Sequence, residues 1–173
     1  MNNKTLALTL TAFFAAGLLA VGFARSFFSR CPTDEQLIQI FVQNRSRLQE
    51  LLTMIAADQG RISYVGRGIV TVDGPLPQER RSKYLREVEA LGALSLSQTK
   101  SEGGEVTIWM WGTGLSISGP SQSKGFGLIL PQNLRRYKIR DRLDGIEKGL
   151  SNAVYARRIQ GDWYLIFYQS NNE

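Results

Sequence analysis

A compact α+β domain behind one N-terminal hydrophobic helix is the fold class that this sequence predicts, and three observations predict it. Residues 5–24 carry no charge and stand apart in composition from everything after them. Two stretches, 33–57 and 78–91, show the apolar spacing of amphipathic helices. Short runs of period-two alternation lie between and after them, ending in a hairpin pattern over 153–168. Helices mixed with short antiparallel strands make an α+β domain.

The first element is the apolar segment (TLALTLTAFFAAGLLAVGFA), twenty residues whose only polar side chains are three threonines. As a helix it spans about 30 Å, the thickness of a bilayer's hydrocarbon core. A signal-peptide core is shorter, about 7–15 residues, which favours a retained anchor. Cleavage after Gly22-Phe23-Ala24 is a second reading. Lipidation of Cys31 is a third, and Arg30 immediately before the cysteine argues against it. The chain therefore divides into an anchor or signal segment, 1–30, and an extracytoplasmic domain, 31–173. Lys4 on one side and Arg25 and Arg30 on the other nearly balance the flanking charge. An external domain follows from its length, because long domains translocate largely regardless of flanking charge. The expected location is a single pass in the inner membrane with the domain in the periplasm. Ala12, Ala16, Ala20 and Ala24 share one helical face, where small residues would permit a weak homodimer.

In the domain, Thr33 with Gln36 forms a capping-box pattern, and Asp34 and Glu35 sit at the positive end of the helix dipole. Leu37, Phe41, Leu48, Leu52 and Ile55 mark the buried face to Ala57, and Gly60 is the expected stop. Asn44 lies close enough to that stripe to bond within the core. Strands are expected at 62–65 and 69–72, then a helix over 78–91 with Tyr84, Leu85, Val88 and Leu91 inward. A turn at Gly103-Gly104 leads to strands at 106–111 and 115–117. A Gly/Pro/Ser loop precedes a strand at 126–130, and the basic run 135–142 is expected to be exposed. The final hairpin turns at Gln160-Gly161-Asp162.

Composition excludes more chemistry than it supports. The sequence contains no histidine, which removes histidine triads, the usual His/Cys zinc sites and histidine pH switches. One cysteine allows no internal disulfide. No catalytic, metal or cofactor residues are therefore assigned, and no cofactor is expected. The charge of +6 falls to +3 for residues 31–173, because three of the cations flank the apolar segment. The glycine–lysine spacing in 119–125 does not fit a phosphate loop. Ser121 and Lys124 match S-x-x-K only in spacing, within a stretch read as a loop and without the companion motifs. Asp141, Asp144 and Glu147 cluster among Arg140, Arg142 and Lys148 and read as solvated ion pairs.

Two surfaces qualify as candidate sites. Period-two alternation in 106–111 puts Trp109 and Trp111 on one face with Thr107, a potential aromatic binding face. Arg135, Arg136, Lys138 and Arg140 are candidate contacts for an anionic surface, nucleic acid being unexpected for a tethered external domain. Cys31-Pro32-Thr33-Asp34-Glu35, Phe41, Asn44-Arg45, Leu48, Leu52, Met54 and Asp58 resemble the start of small lipoprotein-like exported proteins of Gram-negative bacteria. Lys124-Gly125-Phe126, Leu143-Asp144, Arg157 and Gly161-Asp162-Trp163-Tyr164-Leu165 are similar to their second half. The resemblance implies export and tethering and supplies no catalytic residue. Members carry a lipidated cysteine where Cys31 stands, and here the apolar segment takes the place of the lipid. The function expected is a tethered, non-catalytic binding or inhibitor module of the envelope with a protein partner. A carboxylate-dependent envelope enzyme and a structural subunit of a membrane complex are the alternatives.

Overall fold

The computed structural model describes residues 30–58, 61–99, 104–113, 121–146 and 152–170. The apolar segment with its alanine face, Gly60, Gly103, the strand expected at 115–117, Glu147 and Lys148 all lie outside them. No helix among the described residues is long and apolar enough to cross a membrane. The chain divides after Pro32, and the second unit, Thr33–Glu173, carries the α+β fold.

Its frame is an eight-stranded sheet in which every pairing but one is antiparallel. In chain order the strands are β1 (Ile62–Gly66), β2 (Ile69–Val72), β3 (Ser95–Gln98), β4 (Val106–Thr113), β5 (Ser121–Leu128), β6 (Lys138–Ile139), β7 (Ala153–Gln160) and β8 (Trp163–Ser170). Across the sheet the order is β2-β1-β3-β4-β5-β8-β7-β6, with β6 parallel to β7. Helices α1 (Asp34–Gln43), α2 (Arg45–Ala57) and α3 (Gln78–Ala90) complete the regular elements among the described residues, with a 3-10 helix at Pro131–Arg136.

The single helix expected over 33–57 is two. The capping box forms as read, with Gln36 N donating to Thr33 Oγ1 and Thr33 N donating to Gln36 Oε1. At Asn44 the backbone leaves helical geometry (φ −110°, ψ 17°), and its side-chain amide donates to the Ile40 carbonyl at 3.0 Å. The amide thereby competes with the helical ladder, which is why asparagine favours helix ends. The break shifts the phase of the buried stripe: Leu51 and Met54 join Leu48 and Ile55 in the core, while Leu52 is only half-buried.

Register fixes which side chains share a face. Val65, Leu96, Ile108, Phe126 and Leu165 lie opposite one another across five strands. Phe41 of α1 packs on this row, its ring 5.7 Å from that of Phe126 and 5.4 Å from that of Trp163. This is the helix face. The opposite face carries the row Gly66, Ser95, Trp109, Gly125, Ile166 and Ala156. Part of it is covered by a second, smaller core: Ile129, Ala156, Tyr164 and Ile166, against which Leu134, Tyr137, Val154 and Trp109 pack.

Two strands differ from expectation. β3 is absent from the sequence reading because Ser-Leu-Ser-Gln offers one apolar residue, Leu96, although that residue is fully buried. β5 begins at Ser121, five residues before the expected start. Ser121 and Lys124 therefore stand on an extended strand, three apart and on opposite faces, so the S-x-x-K arrangement cannot form. β8, the last of the described strands, is interior in the sheet, and residues 164–167 are buried on its two faces, with Trp163 half-buried and Tyr168 exposed.

Candidate functional site

Two clusters gather the polar chemistry of the domain. The first is a buried charge network on the helix face. Capping places Asp34 at the first turn of α1, where it is fully buried. Lys124, almost as deeply buried on β5, contacts Asp34 Oδ1 at 2.8 Å and Asp144 Oδ1 at 2.9 Å. Arg157 of β7 donates to Asp34 Oδ2 at 2.7 Å, and the Leu143 amide donates to the same oxygen at 2.8 Å. The Asp34 amide in turn donates to Asp144 Oδ1 at 2.9 Å. Burial opposes ionisation of Asp144, yet its hydrogen bond with Lys124, the Asp34 amide and the lysine's charge outweigh that and hold it below the ordinary carboxylate range. The bond to Asp34 raises Arg157 above its ordinary value.

This network corrects the expectation for Asp144. Its stronger partner is the buried Lys124, with solvent-side Arg142 farther away at 3.6 Å. Asp34 and Asp144 do converge, but a lysine ammonium occupies the space between them and Asp34 has no exposed surface. A substrate atom could reach this pair only by breaking the ion pairs that join four chain segments. Asp34, Lys124, Leu143-Asp144 and Arg157 were legible only as scattered pieces of the resemblance. Lys124 gave no signal of burial, since lysine is among the residues least often inside.

Two smaller, partly buried clusters are likewise structural. Asp58 accepts from Arg80 Nε at 2.9 Å and from the Tyr84 hydroxyl at 2.6 Å, tying the end of α2 to α3. Burial, then the bond to Asp58, push the Tyr84 hydroxyl above its ordinary range. Glu105 accepts from the Tyr137 hydroxyl at 2.9 Å, anchoring the segment after the 3-10 helix.

The second cluster is a trough of about 260 Å³ on the face away from the helices, lined by Tyr64, Arg67, Leu94, Ser95, Trp109, Trp111, Gly112, Thr113 and Ser123. Small residues beneath it leave its space open. A Cβ at Gly66 would lie 2.8 Å from the Tyr64 hydroxyl, and one at Gly112 would lie 3.1 Å from Ser123 Oγ. Arg67 stands at its rim in a two-residue hairpin turn with Gly68, at φ 50° and 75°. Both residues are left-handed, the geometry of a type I′ turn. Arg67 is exposed, and no carboxylate lines the trough.

The two tryptophans do not share a face. Between Trp109 and Trp111 the β4–β5 register slips by one, opposing Trp109 to Gly125 and Trp111 to Lys124. Such a bulge inserts an unpaired residue, here Met110, and inverts the alternation that follows. Gly112 now points toward Ser123 on the trough face, so the Trp111 ring turns to the helix face, where it is 4% exposed. Its Nε1 has no hydrogen-bond partner among the described residues. Trp109 remains on the expected face, packed on one side against the smaller core and bordering the trough on the other, and Trp111 reaches the trough lining from the bulge. Gly125 is the visible cause. A Cβ there would strike the Ile108 carbonyl oxygen, so glycine lets β4 buckle against β5.

The basic candidates lie elsewhere. Arg135, Arg136, Lys138 and Arg140 are all exposed, at the end of the 3-10 helix and along edge strand β6. Cys31 is half-buried and in no disulfide, its thiol donating to the Pro32 carbonyl at 3.8 Å. Among the described residues no group of histidine, cysteine and carboxylates is placed to hold a metal. No family model, curated protein or solved structure matches this chain.

Proposed function

We propose that the chain is a membrane-tethered, non-catalytic binding or inhibitor module of the cell envelope, and that the trough beside Trp109 is its contact site. The observation that carries this reading is how the chemistry is divided between the two clusters. The buried acids are committed to cations or hydroxyls that hold the fold. The trough offers aromatic rings, hydroxyls and one cation on a rigid sheet floor, without an acid–base pair. Aromatics on a rigid support give large contact area at small entropic cost, and arginine and tyrosine are enriched among binding hot spots. The apolar segment 5–24 supports the tethered half of the proposal.

Site-specific photo-crosslinking in intact cells tests it. A photoreactive amino acid at Thr113, on the trough rim, should give a discrete adduct that weakens when Trp109 is replaced by alanine. The same group at exposed Glu79, on α3, should not. No adduct at Thr113, or the same adduct from both positions, would remove the trough as the contact site.

A further inference from the structure

We infer that the edge of the sheet around β6 rests on an anionic phospholipid surface, that of the bilayer holding the chain. The inference builds on the tethered reading and assigns the domain a membrane-facing side.

Charge gives the first argument. Residues 135–142 contain five cations and one acid, Asp141, a net of +4 in eight residues. Residues 31–173 total +3, so the rest of the domain is close to neutral, at −1. The basic character of the domain is therefore local. The five cations are exposed, and Ile139 stands among them at 52% exposure. Cations around an outward aliphatic side chain suit a headgroup layer, which offers phosphate oxygens above an apolar interior.

Connectivity gives the second. Pairing with β7 and the bond from the Arg140 amide to the Ala156 carbonyl fix one end of the strip. Leu143, fully buried, donates to Asp34 and fixes the other. Asp34 is also where the chain from the apolar segment enters the domain. Nine residues lie between Ala24 and Asp34, and the ten extended steps that they span reach at most about 35 Å. The buried charge network thus pins the basic strip to the entry point of the tether, whatever path the connecting residues take. A short tether raises the effective concentration of a weak patch near its surface to the millimolar range. The strip need not recruit the protein from solution to act.

The full chain in vesicles, with Cys31→Ser and with Ile139→Cys carrying an environment-sensitive fluorophore, tests this. Zwitterionic vesicles are compared with vesicles containing phosphatidylglycerol. Blue-shifted emission is expected only with the anionic lipid. It should be lost as salt rises from about 0.1 M to about 1 M, which shortens the Debye length from about 10 Å to about 3 Å. It should also weaken about fivefold for each cation removed at Arg135, Lys138 or Arg140, the effect of one basic residue near such a surface. Flotation with zwitterionic vesicles in high salt reads the tether separately. Flotation with identical emission in both lipids overturns the inference and leaves the tethered reading standing. Loss of flotation in high salt overturns the tethered reading itself. The same spectral change on adding RNA to chain held in zwitterionic vesicles overturns the inference in favour of a nucleic-acid face.

Discussion

Replacing Asp34 by alanine should destabilise the domain more than its position beside a helix start implies. The carboxylate is fully buried and holds Lys124 at 2.8 Å, Arg157 at 2.7 Å and the Leu143 amide at 2.8 Å. Its removal leaves a lysine 1% exposed with Asp144 as its remaining carboxylate, and it orphans the Leu143 N–H. Breaking one partner of a buried ion pair costs about 3–5 kcal/mol, and an unsatisfied buried amide about 1–3 kcal/mol. Arg157 is partly exposed and can turn to water, so the sum is not reached, and a loss of about 3–5 kcal/mol is expected. At roughly 2–4 °C per kcal/mol, the melting temperature should fall by about 6–20 °C. Lys124→Met should cost less, about 1–2 kcal/mol, because Asp34 keeps Arg157 and the amide. The double variant should cost less than the two singles together. Urea unfolding followed by tryptophan fluorescence measures all three, with the exposed Asp141→Ala as control. A loss under about 1 kcal/mol for Asp34→Ala, or strict additivity in the cycle, would refute the network as a support of the fold.

Gly125→Ala should be worse tolerated than Gly127→Ala, because the first Cβ meets the Ile108 backbone and the second meets the flexible end of Ile166. We expect losses above about 3 kcal/mol and about 1–3 kcal/mol, respectively, and the reverse order in denaturant midpoints would contradict this account of the bulge. Asp144, held below its ordinary value, contributes stability that is complete above the usual carboxylate range and disappears as pH falls through its lowered folded value. The urea midpoint should therefore drop on acidification below about pH 4, with a shallower drop in Asp144→Asn, and an unchanged slope in that variant would rule out its share.

The elements that the sequence shows plainly are those whose own periodicity decides them. The capping box at Thr33, the inward face of α3 and the terminal hairpin all depend on residues within one turn or one strand pair. Three features were not legible, each because a distant partner decides it. β3 is too polar to announce itself, and only flanking by β1 and β4 makes it a strand. Trp111 follows correct alternation until Gly125, on another strand, lets β4 buckle. Lys124 reads as a solvated loop residue, and its burial follows from carboxylates 90 residues earlier and 20 later. Of the nine residues lining the trough, the sequence thus singled out Trp109 and Trp111 and none of its floor.

The charge network also sets when this domain can finish folding. Asp34 and Arg157 are 123 residues apart, and β5 gains its β8 neighbour only from the last of the described strands. At about 5–20 residues per second, synthesis of that interval lasts roughly 6–25 s. Throughout it, Asp34 and then Lys124 are present without the full set of partners that neutralises them. Non-local closure of this kind slows folding, and two charges that must stay hydrated until their partners arrive oppose premature burial of the helix face. Delayed closure thus keeps the helix face open until β8 is available to close it.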